Sequence, residues 1–181
     1  MENIRFVFPE VTRLTAGAVG QPGHRTFYIL VGRGGTQVRV WLEKAQLQAM
    51  SAAIARLVVL MSSQGTGETE EAWALPPSAD EPLTADIQGG KLALGYDEER
   101  KKFLFLAHEK DASEEASPAV GFWATLSQMR AWDHRIDEVC SAGRPLCALC
   151  GGPIDPEGHI CPRSNGHLRP DALHGTEEQQ A

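Results

Sequence analysis

Residues 147 to 163 read CALCGGPIDPEGHICPR and place Cys147, Cys150, His159 and Cys161 in one turn-rich stretch. Thiolate sulfur and imidazole nitrogen are the ligands that structural zinc sites take, four at a time in a tetrahedron. The two residues between Cys147 and Cys150 let the chain fold back so that both sulfurs meet one ion. Gly151 and Gly152 follow, where such a knuckle needs positive φ or a close backbone approach. His159 and Cys161 are two apart, so in extended chain they point to the same side while Ile160 points away. Pro153, Pro156 and Gly158 supply a turn between the two pairs. The pattern C-x2-C-x8-H-x-C therefore predicts a closed zinc site with no position left for water or substrate, which makes the zinc structural rather than catalytic. A segment with so few core residues draws much of its folding free energy from the metal.

Other residues compete for these roles. A CxxC pair can also cycle between dithiol and disulfide, but that use wants the motif to open a helix, and Gly151-Gly152-Pro153 does not start one. Cys140 falls on the apolar face of a predicted helix, where a free cysteine acts as a small hydrophobe, and is left out of the ligand set. His167 and His174 lack comparable spacing. His24, Arg25 and His108, near predicted strand ends, are candidates for lining a small-ligand pocket. Arg163 and Arg169 in RSNGHLR are candidate phosphate contacts. Trp41 and Trp123, at matched strand-to-helix joins, are read as core packing. No nucleophile elbow, P-loop, HExxH or dinucleotide fingerprint occurs, and GRGG at 32–35 reads as a hairpin turn.

The elements that must position these residues fall into two halves. RLTAGAVG (13–20), RTFYILVG (25–32) and TQVRVWLE (36–43) have strand composition, and a helix follows with Leu47, Met50, Ile54, Leu57, Val58 and Met61 on one face and Gly65 as its stop. LTADIQGGKLALGY (83–96), KKFLFLAHE (101–109) and AVGFWAT (119–125) repeat the order. The second helix has Met129, Trp132, Ile136, Val139 and Cys140 on its apolar face. Thr125 and Gln128 form a capping box at its start, and Gly143 ends it. An offset of 82 positions maps Trp41 onto Trp123, Gln46 onto Gln128 and Ala49 onto Ala131. The expected fold is α+β, an internally duplicated unit of antiparallel strands followed by a helix, with a small C-terminal zinc knuckle. The expected domains are 1–143 for the duplicated part (halves about 1–65 and 83–143, acidic linker 66–82), 144–169 for the knuckle and 170–181 for a disordered tail.

The chain of 181 residues carries a formal charge of -7, and three thiolates around one zinc would make it more negative. That balance opposes nucleic acid and anionic lipid as partners. No run of about 18 apolar residues occurs, and MENIRFVFPE lacks a secretory signal pattern, so the expected compartment is the cytoplasm and no membrane is expected as a partner.

The opening MENIRFVFPEVTRLTAGAVGQPGHRTFYI, the VWLEKAQL segment and the ending CxLCGGPIDPEGHICPR resemble a family of bacterial proteins filed as domain of unknown function 3090. The resemblance spans roughly Asn3 to Arg169 and supports grouping Cys147, Cys150, His159 and Cys161; it implies no activity. The leading expectation is a zinc-binding, non-enzymatic interaction or adapter protein whose partner is another protein. The alternatives are an enzyme or small-ligand-binding protein with a site between the two halves, and nucleic-acid binding through the zinc segment.

Overall fold

The computed structural model describes residues 3–63, 82–143, 147–152, 154 and 158–163. The predicted helix stop at Gly65, nearly all of the acidic linker and the whole tail lie outside them. The chain divides into two compact units, residues 1–143 and 144–181, each taken by itself below.

The first unit is α+β, a mixed seven-stranded sheet with two helices. In chain order the elements are β1 (Phe6–Phe8), β2 (Arg13–Val19), β3 (Thr26–Arg33), β4 (Thr36–Leu42), α1 (Lys44–Ser63), β5 (Ala85–Asp97), β6 (Lys102–Glu109), β7 (Val120–Ala124) and α2 (Leu126–Ser141). Strand order across the sheet is β1-β7-β6-β5-β4-β3-β2. β2-β3-β4 and β5-β6-β7 are antiparallel meanders, while β4 with β5 and β1 with β7 pair in parallel. Alternation is clear in β4: Val38, Val40 and Leu42 are buried, whereas Arg39 and Trp41 face the other way and are half-buried.

The two edges of this sheet are nearly one strand. Phe8 of β1 pairs with Phe122 of β7, yet the Thr12 amide already donates to the Gly32 carbonyl of β3 at 3.0 Å. Seven strands laid flat would hold their edges about 29 Å apart, and the four steps from Phe8 to Thr12 reach about 14 Å at most. The sheet must curl until its edges come within that reach. Glu10, inside that short crossing, pairs with Arg33 of β3 at 3.0 Å and with Lys102 of β6 at 3.8 Å. β5 makes a comparable change of partner without breaking: Gln88 pairs with Trp41 of β4, and the next residue, Gly89, pairs with Glu109 of β6. A Cβ at Gly89 would come within 2.6 Å of Leu42, and one at Gly90 within 2.7 Å of the Glu109 carbonyl, so both positions require glycine.

The helices fill the space this curvature creates. Phe105, Phe122 and Trp132 form an aromatic centre, with Phe105 stacked on Phe122 at 4.9 Å and Trp132 edge-on to both at 5.6 Å. Leu47 and Ile54 of α1 and Met129, Trp132 and Ile136 of α2 are fully buried. The capping box at Thr125 and Gln128 is present. The Gln128 side chain accepts from the Thr125 amide at 2.9 Å and donates to the Val11 carbonyl at 3.1 Å. Gln46 of α1 does the same, accepting from the Glu43 amide at 2.8 Å and donating to the Gly90 carbonyl at 2.7 Å. Trp41 departs from its predicted core place: it lies half-buried with Arg39 over its ring at 4.4 Å and Tyr28 edge-on at 5.4 Å. Trp123 is buried.

Where α1 meets α2, Ser51 lies between two carboxylates one helical turn apart, 2.6 Å from Asp133 and 3.1 Å from Asp137. Its single hydroxyl proton cannot serve both. Burial, with the Asp137 charge adding to it, raises the Asp133 carboxyl above its ordinary value, against the Ser51 hydrogen bond, which lowers it. The folded chain thus holds this proton better than the unfolded one, so the contribution is fullest below the ordinary carboxylate pKa near 4 and fades as pH rises through the raised value. Asp133→Asn, which keeps an acceptor for Ser51 and removes the repulsion, is expected to stabilise the fold at pH 7 by about 0.5 kcal/mol, the scale of solvent-screened charge pairs. Denaturation at pH 4 and pH 7 checks it: the gain should shrink at the lower pH, and an equal loss at both would contradict it.

Candidate metal centre

The second unit is organised around Cys147, Cys150, His159 and Cys161, whose ligand atoms all lie within 4.8 Å of one another. They lie close enough to hold one metal ion. The chain folds this way for local reasons. The Gly151 amide donates to the Cys147 carbonyl and the Cys147 amide donates to the Gly152 carbonyl, both at 2.8 Å, which closes the CxxC turn on itself. Gly151 has φ +71°, a left-handed conformation that side chains disfavour. A Cβ on Gly152 would stand 3.3 Å from the Cys150 sulfur. Gly158, with φ +95°, turns the chain just before His159.

Backbone amides aim at the sulfurs. Leu149 N–H donates to Cys147 Sγ and Gly152 N–H to Cys150 Sγ, each at 3.4 Å. The N–H groups of Cys150 and Leu149, helped by the neighbouring Cys150 and Cys161 thiols, push Cys147 down to about 6. At Cys150 the Gly152 amide also favours the thiolate, but desolvation and the nearby Cys161 and Cys147 sulfurs outweigh it and the thiol is raised. One thiolate here discourages the next, a conflict that a bound dication removes.

The spacing is consistent with zinc. Zn–S bonds of about 2.3 Å and a Zn–N bond of about 2.05 Å at tetrahedral angles put ligand sulfurs about 3.8 Å apart and a sulfur and a nitrogen about 3.6 Å apart. Cys147 Sγ and Cys161 Sγ are 3.8 Å apart, and Cys150 Sγ and His159 Nε2 are 3.4 Å apart. No disulfide joins these sulfurs. Cys140 is not among the four; it is buried on α2, where burial pushes its thiol up.

The other candidate residues lie elsewhere. His24 is exposed and Arg25 half-buried in the β2–β3 connection, His108 is half-buried near the end of β6, and no hydrogen bond or ion pair joins the three. Arg163 donates from its guanidinium to the Leu149 carbonyl at 3.1 Å, tying the chain after the last ligand to the CxxC loop. Arg169 lies outside the described residues. Spacing did not single out the role of Leu149, whose amide caps one sulfur and whose carbonyl receives Arg163; its only signal is its place inside the CxxC pair.

Gly151→Val places a β-branched residue at positive φ, a cost of about 1–2 kcal/mol, and should weaken zinc binding about tenfold. Cys150→Ser should weaken it much further. Competition with a chromophoric chelator checks both, and unchanged affinity in Gly151→Val would show that the turn does not form as described.

Among known proteins, no curated protein and no solved structure matches the chain. One family profile matches residues 6–161, a span that opens on the first residue of β1 and closes on the last ligand, Cys161. The chain belongs to that family, described as "Protein of unknown function (DUF3090)".

Proposed function

We propose that this protein binds zinc through Cys147, Cys150, His159 and Cys161 and acts as a non-enzymatic interaction protein. The observation that carries the reading is a ligand set closed by four protein side chains beside exposed apolar groups. Three thiolates and one imidazole fill a tetrahedral ion, so the zinc has no vacant position at which to activate water or polarise a substrate. Its work is to hold a short loop rigid. On that loop Ile160, between two ligands, is 97% exposed, and Leu149, inside the CxxC pair, is 59% exposed. Apolar side chains held in water on a rigid frame suit contact with another protein, because their ordering cost is already met.

We also read the two halves of the first unit as a diverged duplication. The matched pair Gln46 and Gln128 supports this, since each accepts from the helix N-cap amide and donates to the carbonyl of a chain that is changing sheet partners. Ser51 and Asp133, which stand at the same offset of 82, touch each other across the helix pair. Nucleic-acid binding receives less support, because the Arg163 guanidinium is already engaged with Leu149.

Affinity capture from native cells with the full chain, compared with Ile160→Asp, tests the function. A protein retained by the wild type should be lost by Ile160→Asp while the variant still holds one zinc, and chelation should release the same protein. Identical partners from both proteins, or turnover of a substrate abolished by Cys150→Ser, would contradict the proposal.

A further inference from the structure

The change of partner made by β5 leaves space on both sides of Gly90. On one side a cavity of about 260 Å³ lies between α1 and β5, lined by Met50 and Ala53 of α1, Leu92 and Leu94 of β5, and Phe105 of β6. On the other side a cavity of about 270 Å³ lies where β4 ends and α1 begins, with Trp41, Glu43, Gln88 and Lys110 in its lining. Gln46 and Gly90 line both, and a hydrogen bond of 2.7 Å joins them. Sites for small organic ligands begin at about 300 Å³; each cavity alone falls short of that, and a ligand reaching past Gln46 and Gly90 into both would meet it.

Their chemistries differ. The side chains of the first are apolar except for Gln46, whose amide is engaged with Glu43 and Gly90. In the second, the Lys110 ammonium stands near the N-terminal end of α1, a helix with no acidic residue in its first turn, so both favour negative charge. Glu43 opposes them, but its side chain is 74% exposed and 3.8 Å from Lys110, so the pair is loose and solvated. The Trp41 ring and the Gln88 amide complete a wall that can take a flat or hydrogen-bonding group.

We propose that these adjoining cavities form one binding site for a small amphiphile, with its apolar chain between α1 and β5 and its anionic end at Lys110. The site lies at the seam between the two meanders and uses none of the metal ligands. It lies where β5 leaves β4 for β6, beside the close backbone approach that Gly89 and Gly90 allow.

Calorimetric titration of the full chain with octanoate, and with octanol as the neutral counterpart, tests the site. Octanoate should bind one per chain with a Kd of about 100 μM, from burial of a seven-carbon chain, and octanol more weakly. Ala53→Leu and Ala49→Leu, on the partly exposed and exposed side of α1, should fill the first cavity and cost at least about tenfold in octanoate affinity with the fold intact by circular dichroism. Lys110→Gln should remove the preference for the acid over the alcohol. No binding by the wild type, or wild-type binding by both folded leucine variants, would overturn the proposal; an unchanged acid preference in Lys110→Gln would overturn the assignment of the anionic end.

Discussion

Between Phe8 and Thr12 the chain leaves the last strand of the sheet and joins the first run of hairpins, and almost everything in residues 1–143 follows from that short crossing. A flat seven-stranded sheet is incompatible with it, so the sheet curls. Curling gives the concave face that α1 and α2 occupy, and it brings Phe105, Phe122 and Trp132 into one aromatic contact. Gln128 fastens the crossing to the start of α2 through the Val11 carbonyl. The same device recurs at Gly90, where Gln46 fastens the bend of β5 to the start of α1. Helix caps in this protein therefore hold sheet geometry as well as helix ends.

The segment that carries the Cys/His cluster obeys different physics. Its described residues contribute little buried apolar surface, and its order comes from two glycines at positive φ, a few backbone hydrogen bonds and the four ligand side chains. Amide hydrogens directed at Cys147 and Cys150 favour thiolates there, while the crowding of sulfurs opposes having several at once. A bound cation would satisfy both tendencies. This is why a closed ligand set is the most informative feature of the chain, although it names no partner.

How much of this was legible in the sequence depended on how local the determinants are. The four ligands sit within one short stretch, and spacing alone grouped them. Thr125 and Gln128 are three residues apart, so the cap could be read directly. Strands β2 to β7 followed from β-branched and aromatic composition between turns, and the apolar faces of both helices from three- and four-residue periodicity. β1 was not legible, because FVF is too short to signal a strand and its parallel partner, Val120–Phe122, lies more than a hundred residues away. Trp41 was misplaced in the core for a related reason: its position in β4 is clear, but which face of the curled sheet receives Arg39 and Tyr28 depends on nonlocal packing. The seam cavities were equally hidden, since Gln46, Gly90 and Lys110 meet only after β5 has changed partners.

X-ray absorption at the zinc edge of the purified protein, with its zinc content measured beside it, tests the central claim most directly. The account predicts one zinc per chain, with three sulfurs at about 2.3 Å and one nitrogen at about 2.05 Å and no oxygen in the first coordination sphere. A folded protein without zinc, or a zinc that carries a water ligand, would contradict a closed structural clamp.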